Sequence, residues 1–465
     1  MRVLVGLAAV VALGAAPSAA PVTVAVSSAV SQAMIGAGIP GAEVTVVSQG
    51  HVIIDSGYGV RDLTTSTPVD AQTRFEIGSV TKQFTAAAIL QLKERGKLSL
   101  DDRLGAYIPA YVAARNVTIR QLLWQTSGIP NYTDTNGFVQ FSTTHAGSVD
   151  AILALVKDKP LEFTPGTKWR YSNTNYALLG RIVEIASHMP WDAYVREHIF
   201  APAGMTHSTF NEDEASVTDM ATGYAMFGGK LVPAPAMGHW ALGAGSIVST
   251  TGDLARWDDA FFGGRSVSAA DVTLATTPGR LSNGTSTGYG FGWVIDRHDA
   301  QQRIDHNGGT FGYTAINEVF PALHERITVL VNDSAAQAET IASAVFAALH
   351  PDLAASENVS AAGEDLAVTA RVEDQWRRVV AGNPDRTQLT AEFNRELTPQ
   401  LLSTAQASFS ALGPPTQWVY KGKTVDGSGT TTYAYRALFR GGVVLAVYMS
   451  VTKDGKIAGF LARSG

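Results

Sequence analysis

The 465-residue chain contains no cysteine. That absence removes thiol nucleophiles, thiolate metal sites and disulfides together. Charge is sparse as well, at 16 % of residues with a net −6. Nucleic acid needs a basic field that this balance does not supply, and a polyanion or anionic membrane surface is an equally poor partner. None of the ten histidines lies in a His-Glu-x-x-His pattern or pairs with a second at ligand spacing beside carboxylates. No metal and no cofactor is therefore expected. Long apolar runs are missing too. Val3 to Ala16 is apolar but shorter than the about 20 residues of a membrane span. With Arg2 before it and Pro17-Ser18-Ala19-Ala20 after it, the run reads as a signal peptide over residues 1–20. A retained amino-terminal anchor is the alternative. The expectation is a secreted or periplasmic protein with no membrane span after signal removal.

What is present is apolar mass. Apolar residues make up 45 % of the chain, enough for a sizeable core without disulfides. Ser27 to Ala37 predicts a helix. Ala42 to Val47 and His51 to Tyr58 predict a hairpin across Ser48-Gln49-Gly50. From Ser79 to Arg95 apolar residues recur at helical spacing and Gly96 is a stop. The stretch from about Asp101 to Phe262 is rich in helical segments and loops. Strand patterns return at Phe291 to Ile295, Tyr313 to Phe320 and Arg326 to Asn332, and Glu339 to Leu349 predicts a helix. Strands at both ends with helices between predict one antiparallel sheet flanked by helices, a helical second lobe and a cleft between them. The class is α/β (α+β). This unit spans 21–352, a linker spans 353–365, and 366–465 forms a small α+β domain ending in a hairpin over Asp454-Gly455.

Ser-Val-Thr-Lys occurs twice. At Ser450 to Lys453 it ends a strand, where residues three apart face opposite ways, so that copy is structural. At Ser79 to Lys82 an apolar helix follows at once. One helical turn brings the Lys82 amine to the Ser79 hydroxyl, and free N–H groups point at the serine. A helix-capping serine would have the same setting. Further on, Tyr171-Ser172-Asn173 lies in a loop entering a helix and presents a phenol and an amide. Asp305-His306-Asn307-Gly308-Gly309 ends a strand, and its glycines open the backbone edge, with Gly309 N–H as a donor. A packing tyrosine and a glycine-rich hairpin are the bland alternatives.

In this order, spaced by roughly 90 and 130 residues, Ser79-Val80-Thr81-Lys82, Tyr171-Ser172-Asn173 and His306-Asn307-Gly308 resemble the three active-site elements of class C β-lactamases, D,D-peptidases and related esterases. Phe75-Glu76-Ile77-Gly78, Gln125-Thr126-Ser127-Gly128-Ile129-Pro130 and Ala244 to Thr250 are similar too, and the resemblance covers about residues 25–350. It implies the two-lobed β-lactamase-like fold and a serine hydrolase. Ser79 would be the nucleophile, Lys82 and Tyr171 would share the base, and His306 would tune the field around Tyr171. Ser79 and Gly309 N–H would bind the oxyanion. Asn173, Asn307, Gly308 and Phe311 would contact the substrate, a small molecule or short peptide. Phe311 and Trp240 have core packing as their alternative.

Two departures stand out. His306 replaces the lysine of class C β-lactamases, and an imidazole with a pKa of about 6.5 is only partly charged near neutrality. That disfavours holding a substrate carboxylate. Gln125 replaces a usual histidine and is expected to affect loop packing. The candidates are then esterase or D-amino-acid peptidase, with β-lactamase after them. A penicillin-binding sensor or scaffold that acylates without turnover is the rival. The sequence leaves the oligomeric state open.

Overall fold

The computed structural model describes residues 19–138, 141–142, 147–211, 216–235, 240–353, 358–440 and 443–464. The expected signal peptide, apart from Ala19 and Ala20, and residues 354–357 of the expected linker lie outside the described residues.

Val44 and Val46 alternate with Glu43 and Thr45 along the strand Gly41–Ser48, and that alternation organises the main sheet. Its partner His51–Asp62 returns through Gln49 and Gly50, both at positive φ. On the other side Gly41–Ser48 pairs with Glu325–Val331, with Val44 opposite Val329. The seven strands run Thr67–Pro68, His51–Asp62, Gly41–Ser48, Glu325–Val331, Thr314–Phe320, Gln301–Gly309 and Val294–His298, with every pairing antiparallel. The two ends of the unit thus close one sheet.

One sheet face buries Val44, Val46, Ile327 and Val329 under the helices Ala19–Ala37 and Ala338–Leu349. The first of these begins before the expected Ser27, because Ala19 to Val26 continues a helix-compatible run of small residues. The helical lobe lies beyond the opposite face. Its core contains Phe84 and Leu90 of the helix Thr81–Glu94, Leu178 and Ile182 of Asn173–Ser187, and Trp257 of Thr251–Phe262. Short strands also occur in this middle stretch. Phe75–Glu76 and Thr209–Phe210 flank Ile247–Ser249, and Tyr224–Phe227 pairs with Lys230–Pro233.

The expected strand over Phe291 to Ile295 is displaced. Val294–His298 and Gln301–Gly309 form a hairpin turned by Asp299 and Ala300, at φ 43° and 60°. Two left-handed residues are what a tight two-residue turn needs, and Asp-Ala lacks the glycine that usually announces one.

Beyond Leu366 the chain builds its own core. Helices Leu366–Val380, Ala391–Glu396 and Pro399–Phe409 accompany a four-stranded sheet of Gln417–Val425, Thr431–Leu438, Val444–Val451 and Ile457–Ser464 in sequence order. Tyr420 and Tyr435 are buried with Trp376, while Trp418 and Tyr433 pack partly buried against the same core. Arg436 reaches Asp299 of the hairpin turn and ties this part to the main sheet.

Candidate active site

Gly78 sets the nucleophile's position. It is left-handed at φ 50°, and a Cβ there would lie 2.7 Å from Gly309 N and 2.9 Å from Gly309 O. Only glycine lets the strand end press so closely. Gly78–Val80 makes one 3₁₀ turn, and the α-helix Thr81–Glu94 starts after it. Ser79 therefore sits in the turn before the helix, not at its first α-helical residue. Gly308 packs as tightly from the other side, where a Cβ would meet Ile77 O at 2.0 Å and Ser79 N at 3.1 Å. Gly309 has open space where its Cβ would be. The turn and the strand end thus bring the Ser79 and Gly309 amides to one place.

Lys82 is wholly buried, and Nζ has three partners: Ser79 Oγ at 2.8 Å, Asn173 Oδ1 at 2.8 Å and Ala244 O at 2.7 Å. Burial holds its pKa well below the usual lysine value, which favours the neutral amine. A neutral amine donates to Asn173 and Ala244 and accepts from Ser79. Tyr171 donates to Ser79 Oγ at 2.7 Å, and its ring lies 4.8 Å from Nζ. Burial raises the phenol above its ordinary 10, so Tyr171 keeps its proton at rest. Ser79 Oγ is thereby held between a proton acceptor and a proton donor.

Gln125 places the tyrosine. At φ 59° it turns its Oε1 to accept from Ser172 N at 3.1 Å and from Asn175 Nδ2 at 2.6 Å, while its own carbonyl takes Arg170 N at 3.0 Å. Both sides of Tyr171 are pinned this way. The effect of Gln125 is on loop position, as its sequence context suggested.

Asn173, expected to contact the substrate, also makes contacts within the site. Its Oδ1 binds Lys82, its Nδ2 reaches Thr133 Oγ1 at 3.4 Å, and its own N–H goes to Asn131 Oδ1 at 3.0 Å. The contact with Lys82 fixes one of the lysine's three partners. Asn307 differs: strand alternation turns it away from His306, and Nδ2 donates to Glu339 Oε1 at 2.7 Å on the opposite sheet face. Gly308 serves close packing against the nucleophile turn. Phe311 is half-buried in the turn closed by Thr310 N to Tyr313 O, and Trp240 is buried in the core.

His306 is buried 6.1 Å, ring to ring, from Tyr171. Burial, with the Lys82 amine nearby, lowers its pKa to about 3, so the imidazole is neutral near pH 7. This corrects the expectation of a partly charged group, which assumed solvent access. The second Ser-Val-Thr-Lys has no such setting. Ser450 Oγ meets Thr432 Oγ1 at 2.8 Å on the carboxy-terminal sheet, and Lys453 lies beyond the strand end.

Sequence reasoning passed over three groups. Ala244 O belongs to a stretch singled out only for its likeness, and a backbone carbonyl leaves no side-chain signal. Thr133 and Tyr289 were not noticed, although Tyr289 stands between Gly288 and Gly290. Among the described residues no acidic or histidine cluster suited to a metal occurs, and no helix is long and apolar enough to cross a membrane.

Known proteins resemble this chain to different extents. A family model described as Beta-lactamase matches residues 26–350. Penicillin-binding protein 4* of Bacillus subtilis is 31 % identical over 290 residues, covering 59 % of this chain and 64 % of that protein. The chain therefore spans a little under two thirds of that relative. The octameric penicillin-binding protein homologue from Pyrococcus abyssi has the same fold, with a TM-score of 0.64 at 22 % identity over 95 % of each chain. A D-stereospecific amidohydrolase from Streptomyces sp. gives 0.59 at 25 % identity, over 71 % of this chain and 98 % of that one.

Proposed function

The chain belongs to the beta-lactamase family of serine hydrolases, and from that premise we propose a secreted enzyme that cleaves uncharged ester or amide bonds through an acyl-enzyme on Ser79. The observation that carries the substrate class is the buried, neutral His306. A carboxylate beside the scissile bond gains little from a neutral imidazole, whereas a neutral ester or amide needs no such partner. This favours esterase or D-amino-acid amidase and peptidase activity over β-lactam hydrolysis. The likeness to a D-stereospecific amidohydrolase supports the same choice. Secretion rests on the signal-like pattern from Arg2 to Ala20.

Ser79 Oγ attacks the carbonyl as its proton passes to the Lys82–Tyr171 pair, with Lys82 Nζ 2.8 Å away. The Ser79 and Gly309 amides hold the oxyanion, a contribution of roughly 3–4 kcal/mol per donor. Tyr171 protonates the leaving alkoxide or amine. Water then attacks the acyl-enzyme, the same pair accepts its proton, and Ser79 is restored. Two coupled groups titrate as a pair, so a pH profile reports both.

The test compares the wild type with Ser79→Ala on p-nitrophenyl acetate and butyrate, D-phenylalanine p-nitroanilide and a fluorescent penicillin. Ester or anilide turnover beyond one equivalent, abolished in the variant, is expected. Substantial activity in Ser79→Ala would sink the assignment. A stable penicillin adduct without turnover would instead favour a sensor, the reading to which the penicillin-binding relative points.

A further inference from the structure

Tyr289 is buried beside Tyr171 and His306. Its backbone is fixed: its carbonyl accepts Gly279 N at 2.9 Å, its N–H meets Thr287 Oγ1 at 3.2 Å, and a Cβ on the following Gly290 would lie 2.0 Å from Ala275 O. The ring stands edge-on to Tyr171, with centroids 6.3 Å apart at 85°, and edge-on to His306 at 5.7 Å and 82°. Its hydroxyl lies 2.9 Å from His306 Nε2.

The other imidazole nitrogen settles the direction of that bond. His306 Nδ1 is 2.6 Å from Asn307 O, and a carbonyl only accepts. Nδ1 therefore carries the proton, Nε2 of the neutral ring is the acceptor, and Tyr289 donates. We propose that Tyr289 is a positioning residue, whose donated hydrogen bond to Nε2, opposite the Asn307 carbonyl at Nδ1, holds His306 as the neutral Nδ1-protonated ring beside Tyr171. The inference rests on the serine-hydrolase reading for its catalytic consequence. An imidazolium at this place would stabilise the Tyr171 phenolate and repel a protonated Lys82, upsetting the pair that handles the Ser79 proton.

The groups facing His306 are Lys82 from the nucleophile helix, Tyr171 from the loop and Tyr289. Behind the strand, on its other face, lie Arg303, Asp305, Glu318 and Glu339. Burial keeps the ring neutral, and whatever positive charge Lys82 carries acts in the same direction. Removing the Tyr289 hydroxyl leaves Nε2 with an unpaired lone pair in a dry site, which protonation relieves while Nδ1–H stays on Asn307 O.

Tyr289→Phe keeps the ring and deletes the donor. Histidine ¹³C and ¹⁵N signals, with His306 assigned through His306→Gln, are followed from pH 5 to 8 beside thermal unfolding and p-nitrophenyl butyrate kinetics. In the wild type His306 is expected to hold one tautomer and not titrate. In Tyr289→Phe its Nε2 signal shifts or titrates while Nδ1 stays protonated, and kcat falls about tenfold with KM little changed. A wild-type His306 that titrates in this range overturns the proposal, whether or not the variant folds. So does a variant with unaltered His306 signals, even if its kcat is lower, because the hydroxyl would then act only on packing. Failure of a fluorophosphonate to label Ser79 in the wild type overturns the serine-hydrolase reading and the catalytic role with it. The imidazole signals decide the tautomer separately.

Discussion

A methyl group on Gly308 would stand 3.1 Å from Ser79 N and only 2.0 Å from Ile77 O. The strand end and the nucleophile turn touch through this missing side chain. Gly308→Ala therefore has to push the turn and the strand apart, and Ser79 N is one of the two amides assigned to the oxyanion. Overpacking of this sort costs about 1–3 kcal/mol in stability, and displacing one oxyanion donor costs roughly 10²–10³ in kcat. We expect a folded protein with a modestly lower midpoint and kcat down at least a hundredfold. Unchanged ester kinetics in a folded Gly308→Ala would show that this contact does not set the oxyanion geometry.

Asn173 and Lys82 share a 2.8 Å hydrogen bond in which a neutral amide faces a buried amine. Asn173→Asp keeps the shape and places a carboxylate at that distance. The negative charge stabilises the ammonium and raises the Lys82 pKa from its depressed value. Since the free amine is the form that accepts the Ser79 proton, the acidic limb of kcat/KM should move to higher pH, by about one unit or more, with activity at pH 7 reduced. A limb that stays in place would argue that Lys82 does not limit the reaction on that side.

Sequence legibility divided along physical lines. Ser79, Lys82 and Tyr171 announced themselves because their chemistry needs those side chains at those spacings, and the structure places Lys82 Nζ and the Tyr171 hydroxyl each within 2.8 Å of Ser79 Oγ. The sheet was readable from the strand-forming runs in Gly41–Ser48 and Thr314–Phe320. The Asp299-Ala300 hairpin was hidden by a turn without glycine. Motif position misled for Asn307, because only strand phase tells that Asn307 and His306 face opposite sides. It misled for the charge on His306, because an ordinary pKa assumes water and burial is a tertiary property. Ala244 O was invisible, being a carbonyl that any residue type supplies.

Gln125 bonds both Ser172 N and Asn175 Nδ2 through one oxygen, and it does so at φ 59°. Gln125→Ala strands two donors, at about 1–3 kcal/mol each, and keeps the strain of a side chain held in the left-handed region. Gln125→Gly strands the same donors but is relaxed at that φ. The alanine variant should therefore be less stable than the glycine one by about 1 kcal/mol in denaturant unfolding, while both lose kcat as the Tyr171 loop loosens. Equal stabilities would mean that the backbone relaxes out of the left-handed region when the side chain is lost.

Asp258 offers a test of stability away from the cleft. It is buried under the main sheet, with Asn317 Nδ2 donating to Oδ1 at 2.9 Å, and burial raises its pKa from 3.8 to about 7. A carboxyl whose folded pKa exceeds its unfolded one opposes folding once ionised. The penalty is absent below about pH 4, grows as pH rises towards 7 and is complete above it. At about 1.4 kcal/mol per pH unit, the full effect is of order 4 kcal/mol. Asp258→Asn, which has no charge to bury, should raise the unfolding midpoint most at pH 8 and progressively less down to pH 5. A variant whose gain is constant with pH would place the cost in hydrogen bonding, and one whose gain grows towards acid would reverse the sign derived from burial.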